Sequence, residues 1–162
     1  MCYDNAMIRV RKAFTLIELL VVIAIIGLLA TAAVVNFANA RKQARDTSRI
    51  GDLKAAAKAL SQAASNADAF VGCTADGSLL SACVLGANLY LDFTTLVDPS
   101  TPGADCVENA ALIAAPCRYT IWKNPPGVAP ERDRYRVTFY LENGAGSLGA
   151  GGHEMTQDGN FQ

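Results

Sequence analysis

Residues 14–35 read FTLIELLVVIAIIGLLATAAVV. They hold one charged residue, Glu18, and no further charge appears before Arg41. About 20 predominantly apolar residues cross the hydrocarbon core of a bilayer as a helix. This stretch supplies them without a proline, and Gly27 is its one helix-weakening residue. Two other readings fail. A secretory signal has a shorter apolar core followed by a small-residue cleavage site, whereas here the core is longer and the small residue, Ala13, precedes it. The run is also long for the buried helix of a soluble domain. The stretch is therefore read as a membrane-spanning helix.

Lys and Arg flank both sides of the span. Arg9, Arg11 and Lys12 precede it, and Arg41, Lys42, Arg45 and Arg49 follow it. The basic-residue rule thus gives no clear orientation. Cysteine does. Cys2 lies before the span, whereas Cys73, Cys83, Cys106 and Cys117 all lie after it. Four cysteines in a segment of that size point to two disulfides and an oxidising compartment. The N-terminus is placed in the cytoplasm and the remainder outside. Among the three connectivities open to four cysteines, the expected pairing joins neighbours in sequence, 73 with 83 and 106 with 117.

The 162 residues are 51% apolar and carry a net charge of −1, so intrinsic disorder and a broad basic surface for nucleic acid are both disfavoured. A single histidine excludes a His-rich metal centre. Beyond residue 40 the helical pattern continues. Ile50, Leu53, Ala57, Leu60 and Ala64 recur at three- and four-residue spacing, an apolar stripe on one face. The charges from Arg41 to Lys58, including Arg45, Asp46 and Arg49, are read as mostly occupying the other faces, solvated. One helix of about 50 residues, ~75 Å at 1.5 Å per residue, is predicted over 15–66.

After Asn66 the chain becomes rich in Gly, Ser, Ala, Asp and Cys. Residues 88–97 read as a strand or a short helix, and 98–105 as a turn-rich loop. Residues 118–123 and 134–142 read as strands, the second placing Tyr135, Val137, Phe139 and Leu141 on one face and Arg136, Thr138 and Tyr140 on the other. Residues 124–127, Asn-Pro-Pro-Gly, mark a turn, and 152–162 hold a last short strand. The predicted fold is α+β: one long N-terminal helix packed on a small antiparallel sheet of three to four strands.

Several motifs carry no chemistry. Gly144, Gly146 and Gly149 match G-x-G-x-x-G, but no helix pattern follows and too few residues remain for the acidic partner of a dinucleotide site. His153 beside Glu154 is a lone pair with no nucleophile motif near it. No catalytic residue is expected, and the cysteines read as structural. Asp98, Asp105, Glu142, Glu154 and Asp158 offer oxygen ligands for calcium but match no EF-hand; the expectation is no cofactor and no metal site.

The stretch KAFTLIELLVVIAIIGLLATAAVVNF, from Lys12 to Phe37, resembles the N-terminus of type IV pilins and type II secretion pseudopilins. That family joins a short basic leader to a small residue, then Phe-Thr-Leu-Ile-Glu and a long apolar run. The resemblance implies a pilin-like fold and cleavage between Ala13 and Phe14 by a prepilin peptidase. It also implies N-methylation of Phe14 and a role for Glu18, paired with the Phe14 ammonium of a neighbouring subunit. Because Phe14 and Glu18 are four residues apart, a pair within one chain stays open beside it. Major pseudopilins are also known for calcium in their C-terminal loops. Two positions depart from the family: Ala13 stands where Gly is usual, and Val35 where many members have Pro.

The reading is a prepilin in four parts. Residues 1–13 are the leader, 14–40 the transmembrane and filament-core half of the helix, 41–66 its amphipathic half, and 67–162 an extracytoplasmic head. The expected partners are other copies in a helical filament, the peptidase, an assembly platform and the inner membrane, with no nucleic-acid site. The expected location is the cytoplasmic membrane, then a cell-surface filament. A type II secretion pseudopilin is the alternative. A single-pass enzyme or receptor is disfavoured, because Glu18 would then be costly and idle.

Overall fold

A computed structural model describes residues 14–66, 70–73, 75–85, 90–123 and 134–162. The leader with Ala13, the first residues of the 88–97 segment and the 124–127 turn lie outside the described residues. Helix α1 runs Leu16–Ser65. The strands are β1 (Phe70–Val71), β2 (Ser78–Leu79), β3 (Val84–Leu85), β4 (Thr120–Lys123), β5 (Tyr135–Leu141) and β6 (Gly151–Thr156). Short 3-10 turns occupy Leu80–Ala82, Phe93–Thr95 and Ala110–Leu112. The described part of the 88–97 segment is thus a short helical turn, begun by the Asp92 side chain accepting from the Thr94 N–H. The fold is the α+β arrangement that the sequence predicts, one long helix and a four-stranded antiparallel sheet.

The chain divides into two compact units, Met1–Ala38 and Asn39–Gln162. In the first, every described side chain from Phe14 onward is exposed. α1 is long and apolar enough to cross a membrane by length and composition. Its one internal hydroxyl in this region, Thr31, donates to the Leu28 carbonyl at 2.8 Å, so no polar group is left unmatched there by that side chain.

The second unit has a three-layer order. The sheet runs β2-β4-β5-β6, all neighbours antiparallel, and β1 pairs separately with β3. One sheet face carries Ile121, Val137, Phe139, Leu141 and Met155, which are buried with Leu53, Ala56, Ala59, Leu60 and Ala63 of α1. Leu53 and Leu60 anchor the helix stripe as expected, but the buried face turns towards 56, 59 and 63, while Ile50, Ala57 and Ala64 stay half-buried. Small alanines there let helix and sheet approach closely.

The opposite sheet face is also covered. Tyr140 packs against Cys106, Ile113 and Cys117, and Thr138 is fully buried while accepting from the Trp122 indole N–H at 2.9 Å. Gly152 on β6 makes this layer possible. A Cβ there would sit 2.0 Å from the Ala110 carbonyl oxygen, so only glycine lets the loop seat on the strand. The structure pairs Cys73 with Cys83 and Cys106 with Cys117, each bridge closing a loop of local sequence. The loop also bonds to the residue two before β4: the Cys106 N–H donates to the Arg118 carbonyl at 3.0 Å, and the Arg118 N–H donates to the Ala104 carbonyl at 2.8 Å.

Candidate functional site

The first turn of α1 is closed by a reciprocal cap. Thr15 precedes the helix, and its side-chain oxygen accepts from the Glu18 N–H at 3.3 Å. The Glu18 carboxylate accepts from both the Thr15 N–H and the Thr15 hydroxyl at 2.8 Å. This is a capping box, in which two donors that a helix N-terminus leaves orphaned are satisfied by side chains. The sequence carries its signature, Thr15-x-x-Glu18, yet the expectation assigned Glu18 to charge pairing alone. The geometry adds a local partner for the carboxylate. Phe14, just outside the cap, is 88% exposed.

Behind this turn the apolar side chains form a continuous surface. Leu16, Ile17, Leu19, Leu20, Ile23, Ile26, Leu28, Leu29, Val34, Val35 and Phe37 are each more than half exposed. An apolar surface of this extent is far larger than the patches monomers leave in water, and it marks a membrane or protein contact. The helix continues through Val35 without interruption.

The second charged constellation lies where α1 meets the head, and it corrects the sequence reading. Asp46 and Arg49 are fully buried rather than solvated. They extend the apolar stripe: 46, 49, 53, 56, 60 and 63 follow one another at three- and four-residue steps. Arg49 uses all five guanidinium donors. Nε and Nη2 engage both oxygens of Asp98 at 2.7 and 2.8 Å. Nη1 reaches Asp46 at 2.6 Å and Glu142 at 3.0 Å, and Nη2 also reaches the Ser100 hydroxyl at 3.1 Å.

Asp46 in turn accepts from three consecutive main-chain N–H groups, Glu142 at 2.9 Å, Asn143 at 2.7 Å and Gly144 at 3.0 Å. Gly144 has φ 91°, a conformation that suits glycine and turns its N–H to the carboxylate. Arg45 completes the cluster with a fork onto Glu142 at 2.7 and 2.6 Å. Thus the G-x-G-x-x-G stretch opens on a helix carboxylate, not on a phosphate.

The charge states follow from these contacts. Burial opposes the Arg49 charge, but the hydrogen bonds that Arg49 donates to Asp98, Asp46 and Glu142, with the charge of Asp98, outweigh it and hold the group above its ordinary value. The Arg45 hydrogen bond, against the opposing effect of burial and with help from Arg49, draws the Glu142 carboxyl down to about 2. Burial, with Asp98 nearby, raises Asp52. Such a cluster is fully paired, which is what a low-dielectric interior demands of charge.

The remaining candidate residues are dispersed. Asp105 pairs with Arg118 at 2.6 Å, and Glu154 with Arg136 at 3.3 Å. His153 places its two ring nitrogens near the Gly149 and Gln162 main-chain oxygens. Of the acids considered for calcium, Asp98 and Glu142 are committed to Arg49. Among the described residues, no three His, Cys, Asp or Glu side chains gather closely enough to hold a metal ion.

Residues 8–34 match a known family described as a prokaryotic N-terminal methylation motif. This is the prepilin-type signal of type IV pilins and pseudopilins. The match covers the region of the capping box and the apolar run. It is a structural motif and not an enzyme family. It implies processing by a prepilin peptidase and assembly into filaments in general. With the exposed apolar helix, it fits membrane anchoring before assembly. No curated protein and no solved structure matches the chain.

Proposed function

We propose that this chain is a non-enzymatic filament subunit, a prepilin that polymerises into a type IV pilus on the cell surface. A peptidase removes residues 1–13 by cutting between Ala13 and Phe14, and the new Phe14 amine is methylated. The observation that carries this reading is the exposed apolar helix of 14–37 behind the methylation motif, with a carboxylate at its head. In the bilayer that surface is solvated by lipid. On extraction it needs another apolar surface of equal length, and copies of the same helix provide it. Contacts between unlike faces that do not close give an open helical polymer.

Glu18 would serve assembly in two steps. The Thr15 cap supports the carboxylate while the subunit waits in the membrane. A neighbour's Phe14 ammonium then gives it a counter-charge in the filament core, and a polar pair in an apolar seam sets register. The two disulfides suit a head exposed to an oxidising exterior. The uninterrupted helix at Val35 favours a second reading within the class, a type II secretion pseudopilin forming a short envelope-spanning fibre.

The test is Glu18→Ala in cells that make the filament, scored as subunit in the sheared surface fraction. A filament subunit loses at least tenfold in yield while its envelope level holds. An anchored domain with no polymer function shows no change, and that result would overturn the reading.

A further inference from the structure

Asn143 and Gly144 form the single Asn-Gly dipeptide of the chain. In such a pair the glycine nitrogen can attack the asparagine side-chain carbonyl carbon, because no Cβ blocks its approach. A bond forms from the Gly144 nitrogen to the Asn143 Cγ, and the Cγ–Nδ2 bond breaks. The amide leaves as ammonia, carrying the proton of the Gly144 N–H. The succinimide ring that results takes up water from solvent. Opening at the new bond leaves aspartate. Opening at the original peptide bond leaves isoaspartate, with one more methylene in the main chain.

The fold demands the reactive neighbour. A Cβ on residue 144 would sit 2.4 Å from the Leu148 carbonyl oxygen, and φ there is 91°. Asn143 is exposed, so water has access to it. The same junction holds the reaction shut. The Gly144 N–H, whose nitrogen is the nucleophile, donates to the Asp46 Oδ2 at 3.0 Å, and the Asn143 N–H donates to that oxygen at 2.7 Å. Attack needs the nitrogen to lose its proton, and an anionic nitrogen facing the Asp46 carboxylate is opposed by like charge. At the other end, the Asn143 Nδ2 donates to the Asn39 carbonyl of α1 at 3.3 Å. Nucleophile and leaving group are thus tied to the helix by separate bonds.

We propose that Asn143 is a modification site governed by Asp46. It stays an amide while Asp46 holds residues 142–144, and turns to aspartate or isoaspartate when that clamp opens. A group that reacts only from an opened state reacts in proportion to the population of that state. The product keeps the clamp open. Aspartate at 143 sets an acceptor against the Asn39 carbonyl in place of a donor. Isoaspartate lengthens the main chain between two N–H groups that converge on one oxygen. The change runs one way and marks a chain whose 142–144 turn has left α1. No part of this chemistry requires a filament.

The test incubates the full chain in detergent at mildly alkaline pH and follows the peptide holding Asn143 by mass spectrometry, since conversion of amide to acid raises its mass. The same chain in denaturant, disulfides intact, gives the rate of the unclamped pair. The folded chain should convert slower by about tenfold or more. Asp46→Ala should restore the rate to within about threefold of the unclamped pair, with β5 amide protection reporting that the head stays folded. Should that variant not fold, wild-type hydrogen exchange at Gly144 takes its place: in sub-denaturing urea, Gly144 exchange and Asn143 conversion should rise by the same factor. Asn143→Asp should quicken Gly144 exchange by about tenfold or more.

Conversion as fast in the folded chain as in denaturant overturns the assignment. So does slow conversion in a folded Asp46→Ala chain, or conversion that does not follow Gly144 exchange. Unchanged Gly144 exchange in Asn143→Asp overturns the one-way consequence.

Discussion

Glu18 and Arg49 sit on the same helix, and their surroundings differ in kind. Arg49 is enclosed, with all five donors matched by Asp46, Asp98, Ser100 and Glu142. Glu18 has a cap from Thr15 and is otherwise set in an exposed apolar surface. The first arrangement is complete within one chain. The second is complete only at the level of the first turn. A charge finished inside the molecule serves stability; on the proposed filament reading, one left at the head of a bare apolar surface serves the copy that covers that surface.

Arg49→Ala tests the enclosed side of that contrast hardest. It strands Asp46, Asp98 and part of Glu142 without their shared cation, at a cost of about 3–5 kcal/mol. Chemical unfolding of the full chain in detergent measures it. A loss under about 1 kcal/mol would mean the network contributes no more than a surface pair.

Acid probes the same cluster more gently. The Glu142 carboxyl lies at about 2 when folded, against an ordinary 4.5. A depressed folded value means the stabilisation is fully present above about pH 4.5 and is lost as pH falls towards 2. A tenfold change in proton affinity is worth about 1.4 kcal/mol. Solvent at the edge of the cluster screens the Arg45 fork, which leaves a loss of about 1–2 kcal/mol. Unfolding midpoints at about pH 6 and about pH 2.5 bracket that window, and Glu142→Gln should shrink the difference between them.

The smallest effect belongs to the other charge. Thr15→Val keeps the shape and removes the cap hydroxyl, which costs about 1 kcal/mol. Amide hydrogen exchange in the first turn of α1 should quicken, while the head amides stay unchanged. Equal protection with and without the hydroxyl would show that Glu18 does not rely on Thr15.

These two sites were unequally legible. Period-two alternation in 134–142 and the apolar run at 14–35 located β5 and the exposed helix, because burial in a sheet and in lipid both leave simple patterns. The Arg49 cluster left a different trace. Apolar periodicity assigns charge to the outside, so Asp46 and Arg49 read as solvated, although they continue the stripe of Leu53, Ala56 and Leu60. Their partners Asp98 and Glu142 lie far along the chain, and no local rule joins them. The Thr15-x-x-Glu18 signature was present, but the cap was hidden behind the charge-pair reading of Glu18. The layer over Thr138 and Tyr140 depends on Gly152 admitting the Ala110 carbonyl, a close approach that composition does not announce.

The filament reading stands or falls on whether the working subunit begins at Phe14. Mass spectrometry of the N-terminal peptide, taken from sheared surface material and from whole envelopes, decides this. A methylated peptide beginning at Phe14 is expected, abundant in the sheared fraction. The same peptide confined to envelopes would favour the pseudopilin reading. An intact peptide running from Met1 through Ala13 into Phe14 in every fraction would refute both.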